Sequence, residues 1–529
     1  MSSIEATQAA PDSEKAAVIT TSSPDPNQLH VVSRGSETTK HLEDIDGQIV
    51  GFDASLMAAR TALSGEEEKR LLRRLDWRIL PLMALMYVVK NIDQSNMSNV
   101  LVMNRGTPRN ILQDLHMTSN QFNLVNVAYY VPYIIAEAPS NLLLKYFRPS
   151  VWLSRIMVTW GFMLCLHAVV SNAGGLFTVR ALLGLFEAGL WPGLLLQLCY
   201  WYRPDETPKR VVIITVCGNF SPVVGSALAY AFNGVAARGM AGWKWLVLTE
   251  GVFTIVLGIA VFFLLPDFPA NAKWLSDKEK AFLQARLPSN SPRDMEKNFS
   301  WKQFVQTIKD HNLWLFLVTW SLFTIGTAGL HFYQPTVIAN LGFTTLAQVQ
   351  LLNMPPSVFA CIVTVFGGWL ASTTYVPLPI VPIIWMLIIE ACYAVQYVYP
   401  NVGGVYAATV IAGGFRSAWE TTMWPWRFQT LSGATGSAFA LALVNSYGQI
   451  GAAIGPHIFN SRFAPRYTTS FAIGMGFVGL SILMAAVTWW VTYRVEVDTR
   501  ILRRARLAAR QRNETVLDDV DLNADKKVR

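Results

Sequence analysis

An all-α membrane protein of twelve transmembrane helices, arranged as two six-helix pseudo-repeats, is the fold class this sequence predicts. Three observations carry that prediction. Apolar residues make up 52% of the 529-residue chain and charged residues only 15%, too few to keep a folded chain of this length dispersed in water. Apolar runs of roughly 20 residues, long enough to cross a hydrocarbon core of about 30 Å, recur along it. Two motifs of the first half also reappear in the second half at nearly one offset.

The apolar runs centre near Val88, Tyr133, Met163, Glu187, Val224 and Leu257, then near Phe323, Phe359, Leu387, Ile411, Gly451 and Met484. Five segments follow. Residues 1–75 are polar and are expected to form a disordered cytoplasmic N-terminal tail. Residues 76–266 form the first six-helix half, 267–311 a charged cytoplasmic central loop, 312–495 the second half and 496–529 a cytoplasmic C-terminal tail. The opening residues do not read as a signal peptide, so the first apolar helix is expected to serve as its own insertion signal.

Orientation follows from basic residues beside the spans. Lys69, Arg70, Arg73, Arg74 and Arg78 precede the first span, Lys145 and Arg148 follow the second, and Arg203, Lys209 and Arg210 follow the fourth. All lie on one side if both termini are cytoplasmic. Arg105, Arg109, Arg238, Lys244, Arg462 and Arg466 lie on the other, and the majority sets the direction. The net charge of +8 is thus a topology signal and not a nucleic-acid surface. The five cysteines, Cys165, Cys199, Cys217, Cys361 and Cys392, sit in apolar runs without close pairing. They read as small buried hydrophobes and not as disulfides or a metal site. No nucleophile–base set, phosphate loop or metal-ligand spacing is evident, so no enzyme activity, cofactor or metal is expected.

The repeat rests on two matches. "LFEAGLWPG" (Leu185 to Gly193) and "AWETTMWPW" (Ala418 to Trp426) align on Trp-Pro with Glu420 − Glu187 = 233. "GNFSPVVG" (Gly218 to Gly225) and "GQIGAAIG" (Gly448 to Gly455) align at an offset of 230. Parallel six-helix repeats place a transporter's substrate site near the midplane, between the halves.

Charges inside the spans are the second informative feature. A charge at the bilayer centre costs about 2.5–3.5 kcal/mol on insertion scales, yet "KNIDQSNMSN" (Lys90 to Asn99) interrupts the first span. Lys90, Asp93 and Gln94 share a helical face. They form either a self-neutralising Lys–Asp pair or the lining of a wet cavity, and the surplus amides favour the cavity. In the fourth span Arg180 and Glu187 stand two turns apart, too far for a direct ion pair along one helix, so each is available to water, another helix or a substrate. Arg416 and Glu420 in the tenth span are four apart and can satisfy each other, or Arg416 can hold an anion between the halves. Asn219 and Gln449, matched by the repeat, and Asn445 are candidate cavity contacts. Glu137 and Glu250 are read as structural groups near span ends, and Glu390 has no evident partner. His167, His331 and His457 read as core or pore groups, and Gly184, Gly225 and Gly455 as close-packing positions.

"IDQSNMSN", "EAPSNLLLK", "RALLGLFEAGLWPG", "GWKWLVLTEG" and "FLLPDFPANAKWLS" together resemble the fungal allantoate permease group, in the anion:cation symporter branch of the major facilitator superfamily. The likeness runs from about Leu75 to Val495. It implies the major facilitator fold and import of a small organic anion (a carboxylate of the allantoate, nicotinate or pantothenate kind) by proton symport and alternating access. Carried over residue by residue, it implies Asp93 and Glu187 as proton-coupling acids, with Arg180 setting Glu187. The group's anion-contacting Arg after the first-helix Asp is here Gln94, so Lys90 or Arg416 would supply the cation. The superfamily's Asp-Arg loop signature is absent from "SNLLLKYFRPSVW" and "GGWLASTTYVPL", so other contacts must hold the cytoplasmic side.

The resulting expectation is a monomeric plasma-membrane symporter with Asp93 and Glu187 as proton sites. Its substrate contacts are Lys90, Gln94, Arg180, Arg416, Glu420, Asn219, Asn445 and Gln449. Its partners are the organic anion, protons and membrane lipid, and not nucleic acid. A proton-coupled exporter is the alternative, on the partial signature "CGNFSPVVGS"; a transporter-like nutrient sensor is a more distant one.

Overall fold

The first transmembrane helix begins earlier than its apolar run, because the polar residues before it carry their own start signal. In the computed structural model, helix α1 spans Gly65–Val102 behind a capping box. The Ser64 hydroxyl accepts from the Glu67 N–H at 3.3 Å, and the Glu67 carboxylate accepts from the Ser64 N–H at 2.8 Å. Glu66, Glu67 and Glu68 fill the first turn, where the helix dipole favours acids. Residues 59–75, assigned above to a disordered tail, are therefore ordered. The structure describes residues 29, 31–34, 59–104, 106–235, 237–287, 291, 299–341, 351–373, 375–459, 461–463 and 466–518. The disorder expected for 1–28 and 35–58 concerns residues outside these.

Twelve transmembrane segments follow the predicted order. In the first half they are α1, α3 (Ser119–Tyr146, after the short α2, Ile111–Asp114), α4 (Pro149–Leu166), α5 with α6 (Ala173–Glu187 and Leu190–Trp201), α7 with α8 (Thr207–Asn219 and Ser221–Phe232) and α9 (Gly242–Leu264). Two short helices, α10 (Asp277–Ala285) and α11 (Trp301–Lys309), occupy the central loop. The second half holds α12 (His311–Asn340), α13 (Met354–Ser372), α14 (Ile380–Val398), α15 (Val402–Phe428), α16 (Ala434–Ile458) and α17 (Thr468–Gln511). Among the described residues nine of these segments are long and apolar enough to cross a membrane on composition; α1, α3 and α15 are not among them. Each of those three carries ionisable or amide groups in its middle turns, and these prove to line the centre of the molecule.

The halves meet through two equivalent seams. Segment two (α3) packs on segment eleven (α16), and segment five (α7 and α8) packs on segment eight (α13). Shifting each by six exchanges the two seams, as a pseudo-two-fold axis between parallel repeats requires. Close packing rests on the predicted glycines. A Cβ at Gly184 would run into the Tyr129 carbonyl, and one at Gly455 would lie 2.6 Å from the Gly329 nitrogen.

The face carrying both termini is fastened by a feature the sequence does not reveal. Strand β1 (Val31–Ser33) pairs antiparallel with β2 (Glu514–Val516), Val31 opposite Val516, so the chain is not wholly helical. Beside this ribbon Glu68, 2% exposed, pairs with Arg34 at 2.8 Å, Arg203 at 3.2 Å and Arg286 at 3.5 Å. Arg286 also pairs with Glu206 at 3.0 Å. Arg506, on the C-terminal extension of α17, pairs with Asp205 of the α6–α7 loop at 3.2 Å, and Asn513 accepts from the Gly65 N–H at 3.0 Å. Burial alone would raise the Glu68 carboxyl, but Arg203, Arg286 and Arg34 outweigh it and hold it below its ordinary value. Burial likewise opposes Arg286, Arg203 and Arg210 at Glu206, and the arginines win, holding it at about 2.

A depressed carboxyl stabilises the fold above its unfolded value and loses that contribution as the pH falls toward its folded one. Glu206 should therefore stabilise the clasp fully above its ordinary 4.5 and lose that effect toward about 2. Arg286→Ala, which strips a cation from buried acids, should cost about 3–5 kcal/mol. Lys69→Ala, which breaks an exposed pair, should change stability by less than about 1 kcal/mol. Thermal unfolding of the detergent-solubilised protein across acidic pH reads all three.

Candidate functional site

A cavity of about 220 Å³ lies between the halves, walled by residues of α1, α3 and α5–α8 on one side and α12, α13, α15 and α16 on the other. The polar stretch 90–99 near the end of α1 explains part of its polarity. The Lys90 ammonium donates to the Gln94 amide oxygen at 2.9 Å, and the Gln94 amide nitrogen donates to the Tyr130 hydroxyl at 2.6 Å. Asp93, 6% exposed, has no hydrogen-bond partner on either carboxylate oxygen among the described residues. The self-neutralising Lys90–Asp93 pair therefore does not form: Lys90 turns to its i+4 amide, and Asp93 stays unpaired beside the cavity.

Segment four breaks where its acid sits. Helix α5 ends at Glu187, Ala188 is extended, and Gly189 takes φ +95° before α6 restarts at Leu190. A left-handed residue suits glycine, and a Cβ there would overlap the Ser140 side chain. Glu187, 2% exposed, thus stands at the carbonyl end of a half-helix, where the dipole favours a proton or cation. The Tyr129 hydroxyl faces its carboxyl. Arg180, 6% exposed, directs one guanidinium nitrogen at the Met97 sulfur, and its Nε is unpartnered among the described residues. Among the described residues Arg180 forms no ion pair with Asp93 or Glu187.

The second half supplies Arg416 and Glu420, 3.7 Å apart on α15, a long contact that leaves the Arg416 Nε without a partner among the described residues. Gln449 lines the same wall. Asn219 reaches across the halves, donating to the Thr364 hydroxyl at 2.9 Å. Asn445 lines the cavity but donates to the Glu137 carboxylate, which also accepts from the Ser446 hydroxyl at 2.6 Å. Every expected site residue, Asp93, Glu187, Lys90, Gln94, Arg180, Arg416, Glu420, Asn219, Asn445 and Gln449, thus lines one cavity.

Two expectations need correction. Glu137 is not near a span end: it lies fully buried in α3 and ties α3 to α16. Glu250 is buried too, and accepts from the Asn96 amide of α1. Glu390 retains an unpartnered oxygen among the described residues, and the structure gives it no role.

Aromatic groups were missed. Trp191 and Trp424, the residues on which the repeat aligns, meet edge-to-face across the pseudo-axis with ring centroids 6.4 Å apart. Tyr87 lies tilted against Trp191 at 4.2 Å and Trp320 against Trp424 at 4.5 Å, and all four rings line the cavity. The Trp-Pro repeat was the signal; what it could not show is that two equivalent residues would touch.

A sequence model described as Major Facilitator Superfamily matches residues 83–456. The chain belongs to the major facilitator superfamily. It is a multi-pass membrane transporter and not an enzyme. A relative named MFS-type transporter cnsO, from Penicillium expansum, is 30% identical over 451 residues, spanning 83% of this chain and 86% of its own. A putative tartrate transporter of Agrobacterium vitis is 29% identical over 439 residues, spanning 80% and 95%. Among solved structures, the human organic anion transporter MFSD10 (TETRAN) shares the fold at TM-score 0.57 and 11% identity, over 78% of this chain and 99% of its own. The E. coli fucose:proton symporter FucP does so at 0.54 and 14%, over 77% and 97%.

The α3–α5 crossing at Gly184 sets where Glu187 stands. Gly184→Ala should destabilise the protein by about 1–3 kcal/mol, since its methyl meets backbone. Gly476→Ala, with nothing within 4 Å of its Cβ, should be neutral or stabilising by up to about 1 kcal/mol. Thermal unfolding monitored by size-exclusion chromatography compares the two.

Proposed function

We propose that this superfamily member imports a small organic anion bearing a carboxylate by proton symport, its two halves rocking around the cavity. The observation that carries the reading is one of charge. Cations from both halves, Lys90, Arg180 and Arg416, face one cavity in which the acids Asp93 and Glu187 are buried without ion-pair partners among the described residues. A carboxylate held between the halves would satisfy the cations, with guanidinium groups suited to bidentate contact. Unpaired buried acids are stable when they carry protons, so binding and proton loading support each other.

In this reading Asp93 and Glu187 carry the coupled protons. Arg180 tunes both, Arg416 and Lys90 contact the anion, and Gln94, Glu420, Asn219, Asn445 and Gln449 shape and orient the site. The tartrate transporter name of one relative and the resemblance to the allantoate permease group support an organic anion as cargo. The excess of basic residues at the terminal face supports cytoplasmic termini, and a plasma-membrane, monomeric carrier is the matching assignment. Export is the second reading, favoured by Pro222 at the α7–α8 break, where the partial exporter signature lies.

Uptake of labelled tartrate, nicotinate, pantothenate and allantoate by cells expressing the chain tests this at acidic and neutral external pH. Accumulation of one anion, faster in acid and lost with a protonophore, is expected. Glu187→Gln should abolish accumulation against a gradient. Arg416→Ala should raise KM by about tenfold or more, since charged hydrogen bonds contribute about 1.5–3 kcal/mol. Faster loss from preloaded cells with no uptake would instead establish export.

A further inference from the structure

Glu250 is a buried carboxyl that the proposed cycle does not use. It lies on α9 and does not line the cavity, yet it sits behind the wall that Asp93 belongs to. Its position is fixed from two sides. Gly251 and Gly258 press α9 onto α4: a Cβ at Gly251 would lie 2.8 Å from both the Gly161 oxygen and the Cys165 nitrogen. From α1, the Asn96 amide donates to one Glu250 oxygen, while the Asn96 oxygen accepts from Asn99 at 2.9 Å. Asn99 lines the cavity, so a hydrogen-bonded chain Asn99–Asn96–Glu250 runs from the cavity surface into the wall.

Among the described residues the second Glu250 oxygen has no partner, nor does either oxygen of Asp93, and both residues are only 6% exposed. The groups around this pair are few. Arg180 of α5 faces both Asp93 and Glu250; Lys90 of α1 and Arg180 face Glu187. The Trp160 indole of α4 faces Asp93. Cys165 of α4 gives its thiol to the Leu248 carbonyl at 4.0 Å, and His167, in the turn after α4, is bound through Nδ1 to the Met163 carbonyl at 2.9 Å. Three carboxyls, Asp93, Glu187 and Glu250, therefore share Arg180, while Lys90 faces Glu187 and also Glu137. Burying an ionised carboxylate without a partner is prohibitive in a medium of low dielectric constant, so at least one of the three is neutral at any moment.

We propose that Glu250 is a proton-holding site behind the cavity that shares protons with Asp93, with Asn96 positioning it. The inference deepens, and rests on, the proton-coupled reading above. A proton enters from the cavity at Asp93. When Asp93 and Glu250 hold a single proton between them, Arg180, which faces both, balances whichever carboxylate is left ionised. Loading the cavity with an anion draws on Arg180 and returns a proton to that carboxylate. Glu250 thus gives the first half a proton store that the substrate does not touch.

Infrared difference spectroscopy of the full-length protein in liposomes, titrated with pH and without substrate, reads this through the carbonyl stretch of protonated buried carboxyls. Wild type is expected to lose that band in separable steps as the pH rises. Glu250→Gln preserves the acceptor for Asn96 and the side-chain volume; it should remove one step and displace the midpoint of the remaining one. Asp93→Asn should displace the Glu250 step in turn. Steps unchanged in Glu250→Gln would overturn the proposal. So would a Glu250 band that never titrates, which would make it a fixed hydrogen-bond donor. A wild type with no titrating carboxyl band would overturn the proton-coupled reading itself, which separates the two failures.

Discussion

The structure turns on one constraint: buried acids in the first half outnumber the cations that can reach them. Asp93, Glu187 and Glu250 are buried around Arg180 and Lys90, and desolvation forbids that they all be ionised together. Much of the local architecture serves this cluster. Gly184 lets α5 touch the α3 backbone, Gly189 breaks segment four just after Glu187, and Gly251 brings α9 against α4. A fold that wanted only stability would replace such groups with apolar side chains of similar volume. Retaining them makes sense where their charge must change.

The pseudo-two-fold symmetry of the halves makes the division of labour visible. Equivalent elements build both seams, and equivalent tryptophans, Trp191 and Trp424, meet at the axis. The ionisable groups do not follow that symmetry. The first half holds Asp93, Glu187 and Glu250, with Glu137 tied to α16, while the second offers Arg416 with a loosely paired Glu420 at 3.7 Å. In the proposed cycle the first half handles the protons, while both halves contact the anion through Lys90 and Arg416. The clasp joins the N-terminal segment, the α6–α7 loop and the C-terminal strand.

Much of this was legible in the sequence, for identifiable reasons. Span number and order follow from apolar runs, which lipid enforces without help from tertiary contacts. Candidate cavity residues followed from the cost of charge in a membrane, which is why Lys90, Asp93, Arg180, Glu187 and Arg416 were all found. What failed were readings that depend on which neighbour a side chain meets. Glu137 and Glu250 were placed at span ends because helix boundaries are soft in sequence, and their partners Asn445 and Asn96 lie 308 and 154 residues away. The terminal ribbon pairs residues 31–33 with 514–516, a separation at which no local pattern signals contact. The tail before α1 was read as disorder from composition, although Ser64 and Glu67 already spelled a capping box.

The central claim is that anion and proton move together in the same direction. Purified protein in liposomes loaded with a pH-sensitive dye, given an inward gradient of the carboxylate identified by uptake, tests it without any cellular background. Acidification of the lumen that tracks carboxylate entry, and that disappears in Glu187→Gln, is the predicted result. Carboxylate entry with no change in luminal pH, or with alkalinisation, would contradict the account.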